Sequence, residues 1–207
     1  MTSDASFWDQ AAKKYAASPI KDQATYEHTL AETRKHLKPL DDLLEIGCGT
    51  GGTALLLADA VAHITATDIS ANMIKIGAEK AAAQEVANVD FVQATPADPK
   101  LAATTFDAIA GFNILHLLPD LESDLAVLRE RLKPGGLLIS KTPCIADWKW
   151  RAVGRIAIPI MQFFGKAPYV SFLKGSDVEA KIAAAGFEIV TSENHNTFSR
   201  FIVAKKL

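Results

Sequence analysis

The sequence predicts an α/β fold in which parallel strands are joined by crossover helices. Two observations carry this prediction. From Asp41 onward, short β-branched or apolar runs alternate with helical segments, and a glycine-dense turn at residues 47–52 follows the first run. This alternation is typical of a mainly parallel sheet covered by helices. The chain has 207 residues, of which 49% are hydrophobic, so we expect a single domain, 1–207, with one substantial core.

The elements of the main sheet follow one another along the chain. The predicted strands are residues 43–46, 63–67, 89–93, 108–111 and 137–141. The predicted helices between them are residues 53–60, 71–83 and 121–132. The run Lys-Pro-Gly-Gly at 133–136 is expected to stop the third helix, because proline cannot continue a helix and glycine readily ends one.

The C-terminal part predicts one more helix and a pair of strands. The helix covers residues 176–185, and the antiparallel strands, 187–191 and 198–204, flank a polar turn at 192–197. Two further segments lie outside the alternating pattern. Residues 1–40 are predicted to form an N-terminal helical cap and residues 142–175 an inserted cap or lid, and we expect both to shape the substrate side.

Composition and charge exclude several classes of protein. The formal net charge of −2 gives no reason to expect a nucleic-acid partner, because phosphate backbones are bound by clustered Lys and Arg. The longest apolar-rich window, residues 152–164, is shorter than the ~20 residues that span a bilayer, so we expect no stable membrane insertion. The N-terminus lacks the pattern of a secretory signal, which predicts a cytoplasmic protein.

The cysteines and histidines show no disulfide framework and no metal-ligand spacing, so no metal is predicted. Cys48 and Cys144 suit a reducing compartment as small buried residues. His195 is expected to be peripheral.

A carboxylate precedes the glycine-dense turn, and three glycines of the turn recur at every second position. Glycine permits positive φ and the close approach of a ligand. Glu45, at the carboxyl end of an apolar strand, would be costly to bury unless it met a cationic group. The turn is therefore predicted to bind a nucleotide-type cofactor that carries a positive charge.

This motif resembles the first motif of class I S-adenosylmethionine-dependent methyltransferases, an acidic residue followed by Gly-x-Gly-x-Gly. It is matched here by Glu45, Gly47, Gly49 and Gly51, with Cys48 inside the loop. The resemblance implies S-adenosyl-L-methionine as cofactor, with its α-ammonium beside Glu45. It also implies a Rossmann-like, doubly wound seven-stranded sheet of order 3-2-1-4-5-7-6, with the last strand antiparallel.

Further cofactor contacts are predicted after the second and third strands. Asp68 ends the second strand, where Rossmann-like folds present a carboxylate to ribose hydroxyls. By resemblance, Ile69 packs on the adenine, and Met73 either does the same or fills the core. Ala94 and Thr95 occupy the place of the family's Gly-Asp-Ala, so Thr95 stands where an adenine-binding Asp is usual.

The remaining predicted site residues surround the methyl group. Phe112 and Asn113 resemble the loop that separates cofactor from acceptor, and Tyr15 resembles the tyrosine that closes over the methionine end. His116, three residues after Asn113, is a candidate general base if a helical turn begins at Ile114. A structural role for His116 remains the alternative.

An aromatic-rich insertion at residues 144–173 has three competing explanations. It is a lid over an apolar acceptor, a self-association surface that forms a homodimer, or an interfacial element that enters lipid. The basic side chains within it suit either an acidic substrate or a solvated face. The aromatic residues are Trp148, Trp150, Phe163, Phe164, Tyr169 and Phe172, and the basic ones are Lys149, Arg151, Arg155 and Lys166.

We therefore predict transfer of a methyl group from S-adenosyl-L-methionine to a small apolar or aromatic metabolite by in-line displacement. Two alternatives stay open. Gly47, Gly49 and Gly52 also fit the Gly-x-Gly-x-x-Gly pattern of an NAD(P)-dependent Rossmann oxidoreductase, although Glu45 would oppose a pyrophosphate. The departure at Thr95 leaves room for a non-catalytic module that binds S-adenosylmethionine.

Overall fold

A computed structural model describes residues 4–149 and 151–207, so Trp150 of the aromatic insertion lies outside the described residues. The helices and strands alternate as the sequence predicts. The strands are β1 (Asp42–Ile46), β2 (His63–Asp68), β3 (Val89–Gln93), β4 (Phe106–Phe112), β5 (Leu132–Pro143), β6 (Phe187–Asn196) and β7 (Ser199–Lys206). The α-helices are α1 (Asp4–Ala17), α2 (Gln23–Arg34), α3 (Gly52–Leu57), α4 (Ala71–Ala83), α5 (Leu121–Arg131), α6 (Arg151–Phe163) and α7 (Gly175–Ala184).

The seven strands form one sheet of order β3-β2-β1-β4-β5-β7-β6. Strands β1 to β5 pair in parallel, whereas β7 runs antiparallel to both β5 and β6. The predicted fold class and strand order are therefore confirmed.

The core lies in two layers, one on each face of the sheet, because successive residues of a strand point to opposite faces. In β1, Leu43 packs into one cluster with residues of α3, and Leu44 packs into the other with residues of α5 and α7. In β4, Ala108 belongs to the cluster of Leu43, and Ile109 belongs to the cluster of Leu44. Because β1 and β4 pair in parallel, their carboxyl ends lie beside each other.

Two predicted boundaries are wrong. Residues 133–136 do not separate helix from strand; they form an irregularity inside β5, between the pairs Phe106–Leu132 and Ala108–Leu137. The polar residues 192–196 belong to β6 rather than to a turn, because β7 supplies their partners across the strand pair. Polar side chains suit this position, since β6 is the edge of the sheet.

The N-terminal cap crosses the sheet edge and is anchored to the start of α4. The Asp9 carboxylate on α1 accepts hydrogen bonds from the Ser70 hydroxyl at 2.6 Å and the Asn72 amide at 3.0 Å. These hydrogen bonds lower the pKa of Asp9. Only one of the described residues of α1, Ala12, is fully buried, so the anchor is mainly polar.

Candidate functional site

Two cavities meet at the carboxyl edge of the sheet. The first has a volume of about 370 Å³ and extends from β1 towards β2 and β3. The second has a volume of about 640 Å³ and lies between β1 and the N-terminal cap. The residues that line both cavities are Tyr15, Gly47, Phe112 and Asn113. This edge is where ligands bind in open α/β sheets.

The glycine loop is shaped by three residues with positive φ. Gly47 has a φ of +61°, and a Cβ there would lie 2.6 Å from Cγ1 of Ile114. Gly49 has a φ of +55° and lines the first cavity. Gly51 lines neither cavity; it precedes α3 at a φ of +75° and packs against Phe91. Gly51 therefore has a packing role, and its predicted cofactor contact stays a prediction.

Glu45 is a buried carboxylate in the wall of the second cavity. It is 3% exposed, and its Oε2 has no hydrogen-bond partner among the described residues. Burial raises its pKa to about 8, and the negative charge of Asp68 adds to this increase. An unpaired carboxylate of this kind is stabilised by a cation, so the site fits the α-ammonium of S-adenosylmethionine.

Asp68 joins the glycine loop to the start of α4. Its Oδ2 accepts a hydrogen bond from the Gly49 amide at 3.0 Å, and its Oδ1 accepts one from the Ser70 amide at 2.9 Å. The Ser70 hydroxyl caps α4 by accepting from the Met73 amide, so Asp68 is not needed as the cap. Burial raises the pKa of Asp68, which lines the first cavity.

The predicted adenine contacts are brought together in the first cavity. Ile69, Met73, Ala94 and Thr95 all line it. The sequence analysis missed Asp124, a half-buried carboxylate on α5 whose pKa is raised by burial. No motif marks Asp124, because it reaches the cavity through the packing of α5.

Tyr15 stands at the junction of the cavities, as the resemblance implies. Its side chain packs edge-on against Trp8, with ring centroids 6.4 Å apart. Burial raises the pKa of the hydroxyl, and the charges of Asp68 and Glu45 raise it further. Tyr15 therefore faces both predicted acidic contacts of the cofactor.

His116 lies in a 3-10 turn, Leu115–Leu117, and lines neither cavity. It is 8% exposed, and its Nδ1 has no hydrogen-bond partner among the described residues. Burial lowers its pKa to about 4, so the ring is neutral and a weak base at physiological pH. The role of His116 as a general base stays a prediction, and its burial outside both cavities favours the structural alternative.

The polar side chains of the second cavity include Lys141, which sequence reasoning did not single out, and Tyr26 of the cap. Lys141, near the end of β5, has its pKa lowered by burial and partly restored by the Asp22 carboxylate. The Tyr26 hydroxyl lies 3.3 Å from the Thr53 hydroxyl in the same wall. The cap places these groups there, and no sequence spacing reveals their proximity.

Among the described residues, the fold assembles one group of potential metal ligands that their spacing along the chain does not reveal. The ligand atoms of His28, Glu193 and His195 lie within 4.8 Å of one another. His195 is buried rather than peripheral, with Nδ1 at 2.9 Å from the Thr29 hydroxyl and Nε2 at 3.0 Å from the Glu193 carboxylate. Both ring nitrogens are therefore engaged, and the group connects α2 to β6.

The insertion lies largely outside the two cavities. Of its described residues, Pro168 lines the first cavity and none lines the second. None of the described helices, α6 included, has the length and apolar character needed to cross a membrane.

The sheet order and the glycine loop over two joined cavities define the Rossmann-like methyltransferase fold. Residues 44–138 match the family model described as "Methyltransferase domain". A demethylmenaquinone methyltransferase of Listeria monocytogenes is 29% identical over 174 residues, covering 75% of this chain and 73% of that protein. By these matches the chain is a methyltransferase, and S-adenosylmethionine is its methyl donor.

Solved structures share the fold along nearly the whole chain. The CcbJ methyltransferase from Streptomyces caelestis has a TM-score of 0.77 at 20% identity, covering 99% of both chains. The complex of DhpI with SAH has a TM-score of 0.76 at 18% identity, covering 98% of this chain and 95% of that one. These two similarities, at 20% identity or less, show the shared fold alone; the methyltransferase matches are what argue against the oxidoreductase.

Proposed function

We propose that this methyltransferase acts on a small acceptor with an apolar or aromatic body, which binds in the second cavity. The single observation that carries the proposal is the buried, unpaired carboxylate of Glu45 beside the junction of the two cavities. In this proposal Glu45 binds the α-ammonium of the cofactor and Asp68 binds the ribose hydroxyls. The first cavity then binds the adenosine of the cofactor, and most of the second cavity remains free to bind the acceptor.

The adenine is bound mainly by shape in this proposal. Ile69 and Met73 supply apolar contact, and the main chain at Ala94 leaves room for the ring edge. Thr95 offers a hydroxyl, and Asp124 offers a carboxylate to the exocyclic amino group. These two polar groups would replace the acidic residue that the third-strand motif lacks.

The chemistry requires alignment more than acid-base catalysis. When bound, S-adenosylmethionine supplies a methyl group on a positively charged sulfur. Holding the acceptor in line with such a group contributes ~7–11 kcal/mol. Asn113, at a positive φ of 57°, donates its amide to the Lys141 carbonyl at 2.7 Å, which fixes the loop between the cavities. His116 has no role in this proposal because it lines neither cavity.

The lining of the second cavity supports an acceptor with one polar end. Apolar surface comes from the cap and from the floor residue Phe112, while Lys141 adds a positive charge beside it. The apolar lining residues of the cap are Pro19, Ile20 and Leu30. An acceptor with an apolar body and an anionic or hydrogen-bonding group opposite Lys141 fits this combination.

Lys141→Met is expected to raise the KM for the acceptor about tenfold, because a hydrogen bond to a charged group contributes about 1.5–3 kcal/mol. Affinity for S-adenosylhomocysteine should be unchanged, since the side chain lines the cavity away from the adenosine. Steady-state kinetics and calorimetry measure the two effects. Lys149→Met, outside both cavities, is the matched control. An unchanged KM would remove Lys141 from the proposal.

The proposal as a whole is tested by titration and labelled-methyl transfer. We expect S-adenosylhomocysteine to bind the intact protein with one site per chain and NAD to produce no heat. Transfer of labelled methyl is then measured across apolar and aromatic alcohols, amines and acids. Labelling of strongly polar acceptors alone would contradict the proposed acceptor class, and failure to bind S-adenosylhomocysteine would contradict the assigned cofactor contacts.

We also infer that the protein works in a reducing compartment such as the cytoplasm. Cys48 and Cys144 are both free and buried. Burial raises the pKa of Cys144 to about 11 and that of Cys48 well above its usual range, so both thiols are poor nucleophiles.

A further inference from the structure

Helix α6 exposes an apolar face to solvent. The apolar side chains of this face recur at helical spacing, and two of them, Ile156 and Phe163, are 69% and 82% exposed. Large apolar side chains that are exposed together on one helix face mark an interaction site. The residues of this surface, here called the α6 face, are Val153, Ile156, Ile160, Phe163 and Phe164.

The opposite side of α6 packs on the protein. Gly154 is buried, and a Cβ there would lie 3.5 Å from the Phe172 ring. The Arg155 guanidinium lies over the same ring, 5.9 Å from its centroid. The helix therefore has a defined inner side, and the α6 face points away from it.

The α6 face does not act as a lid over the acceptor. None of the described residues of α6 lines either cavity. The end of the helix is nevertheless tied to the rim of the first cavity, because the Gln162 amide donates to the Pro168 carbonyl at 2.7 Å. The apolar face and the cofactor site are thus neighbours with separate surfaces.

The segment of the chain that carries the α6 face is basic in sequence. Between Trp148 and Ser176 there are five basic residues and no acidic residue. Because the whole chain has a formal charge of −2, the remainder carries −7, so the positive charge is concentrated here. The five residues are Lys149, Arg151, Arg155, Lys166 and Lys174.

We propose that the α6 face docks the protein on the surface of an anionic lipid bilayer. An exposed apolar face on a helix within a basic segment is a feature of helices that lie in the plane of the interface. The apolar side chains would enter the headgroup boundary and the cations would pair with anionic headgroups. With 13 residues, α6 is too short to span the bilayer, so the association is peripheral. This proposal is independent of the acceptor.

The test is sedimentation of the full chain with lipid vesicles. We expect the protein to pellet with vesicles that contain phosphatidylglycerol, to pellet much less with pure phosphatidylcholine, and to be released by high salt. Ile156→Asp combined with Phe163→Asp should weaken vesicle binding about tenfold or more. Calorimetry with S-adenosylhomocysteine should give the wild-type affinity for this variant, which shows that it is folded and separates this proposal from the proposed function.

Leu40→Asp is the matched control, since Leu40 is an exposed apolar residue, at 88%, outside the face. It should bind anionic vesicles as the wild type does. Wild-type protein that stays in the supernatant with anionic vesicles would overturn the proposal. A dimer in analytical ultracentrifugation that Phe163→Asp dissociates, without vesicle binding, would also overturn it and assign the face to self-association.

Discussion

Glu45→Gln is expected to weaken the binding of S-adenosylhomocysteine by about two orders of magnitude, because removing one partner of a buried charge pair costs about 2–5 kcal/mol. Glutamine keeps the size of the side chain and removes only the charge that the buried Oε2 carries. Isothermal titration calorimetry measures the loss. Glu188→Gln, an exposed glutamate on β6, is the matched control. An unchanged affinity in Glu45→Gln would refute the proposed ammonium contact.

The same interaction has a pH signature. With its pKa raised to about 8, Glu45 is protonated in the free protein at neutral pH. A bound cation favours the carboxylate, so binding releases a proton, and affinity should rise with pH by at most about tenfold per unit until about pH 8. Glu45→Gln should lack this part of the pH dependence.

As pH rises, the free energy of unfolding should fall, whereas the binding affinity should rise. The folded state holds the Glu45 proton between its ordinary pKa of 4.5 and the folded value of about 8, whereas the unfolded state has already lost it. The free energy of unfolding of the ligand-free protein therefore contains a contribution that is full below about pH 4.5 and falls as pH rises to about 8. Denaturant unfolding of Glu45→Gln should lack this decrease.

Gly51→Ala is expected to destabilise the protein by about 2–5 kcal/mol, through overpacking and the cost of a side chain at positive φ. The Phe91 ring is wedged between Gly51 and Gly77, where added Cβ atoms would lie 2.5 Å and 2.4 Å from its Cε1. Gly77→Ala should lower the free energy of unfolding by about 1–3 kcal/mol, because the added methyl group overpacks the site without straining the backbone. Denaturant titration measures both losses.

A smaller side chain at residue 91 separates the two causes. In a Phe91→Leu background, Gly77→Ala should become nearly neutral, whereas Gly51→Ala should keep the cost of its φ of +75°. Gly154→Ala is the control, since its Cβ would make only an ordinary contact in α6. Equal rescue of Gly51→Ala and Gly77→Ala would contradict the role assigned to the backbone conformation.

Local patterns were enough to predict most of the fold. The helix at 71–83 and the strand at 89–93 have the bounds that periodicity and turn residues predict. The full length of β6 was not predictable, because its polar residues 192–196 have strand conformation only through pairing with β7. The irregularity at 133–136 was missed for the same reason, since its neighbours hold both sides in the sheet.

The candidate site was predictable where a motif fixes the backbone. Glu45, Gly47 and Gly49 reach the cavities because strand β1 and the following turn place them there. Lys141 and Asp124 reach them only after distant elements pack together, so no spacing in the sequence marks them. The burial of His116 is likewise a tertiary effect that its distance from Asn113 along the chain does not reveal.

The polar anchor of α1 has a consequence for access to the first cavity. Helix α1 contributes Trp8 and Tyr15 to the wall of the first cavity but buries little apolar surface of its own. Its attachment through Asp9 consists of a part-buried hydrogen bond from the Ser70 hydroxyl and exposed hydrogen bonds with Asn72, and none of them involves the sheet. Elements with few buried contacts open at a lower free energy than the core of a protein, so local unfolding of α1 would expose the first cavity while the sheet stays folded.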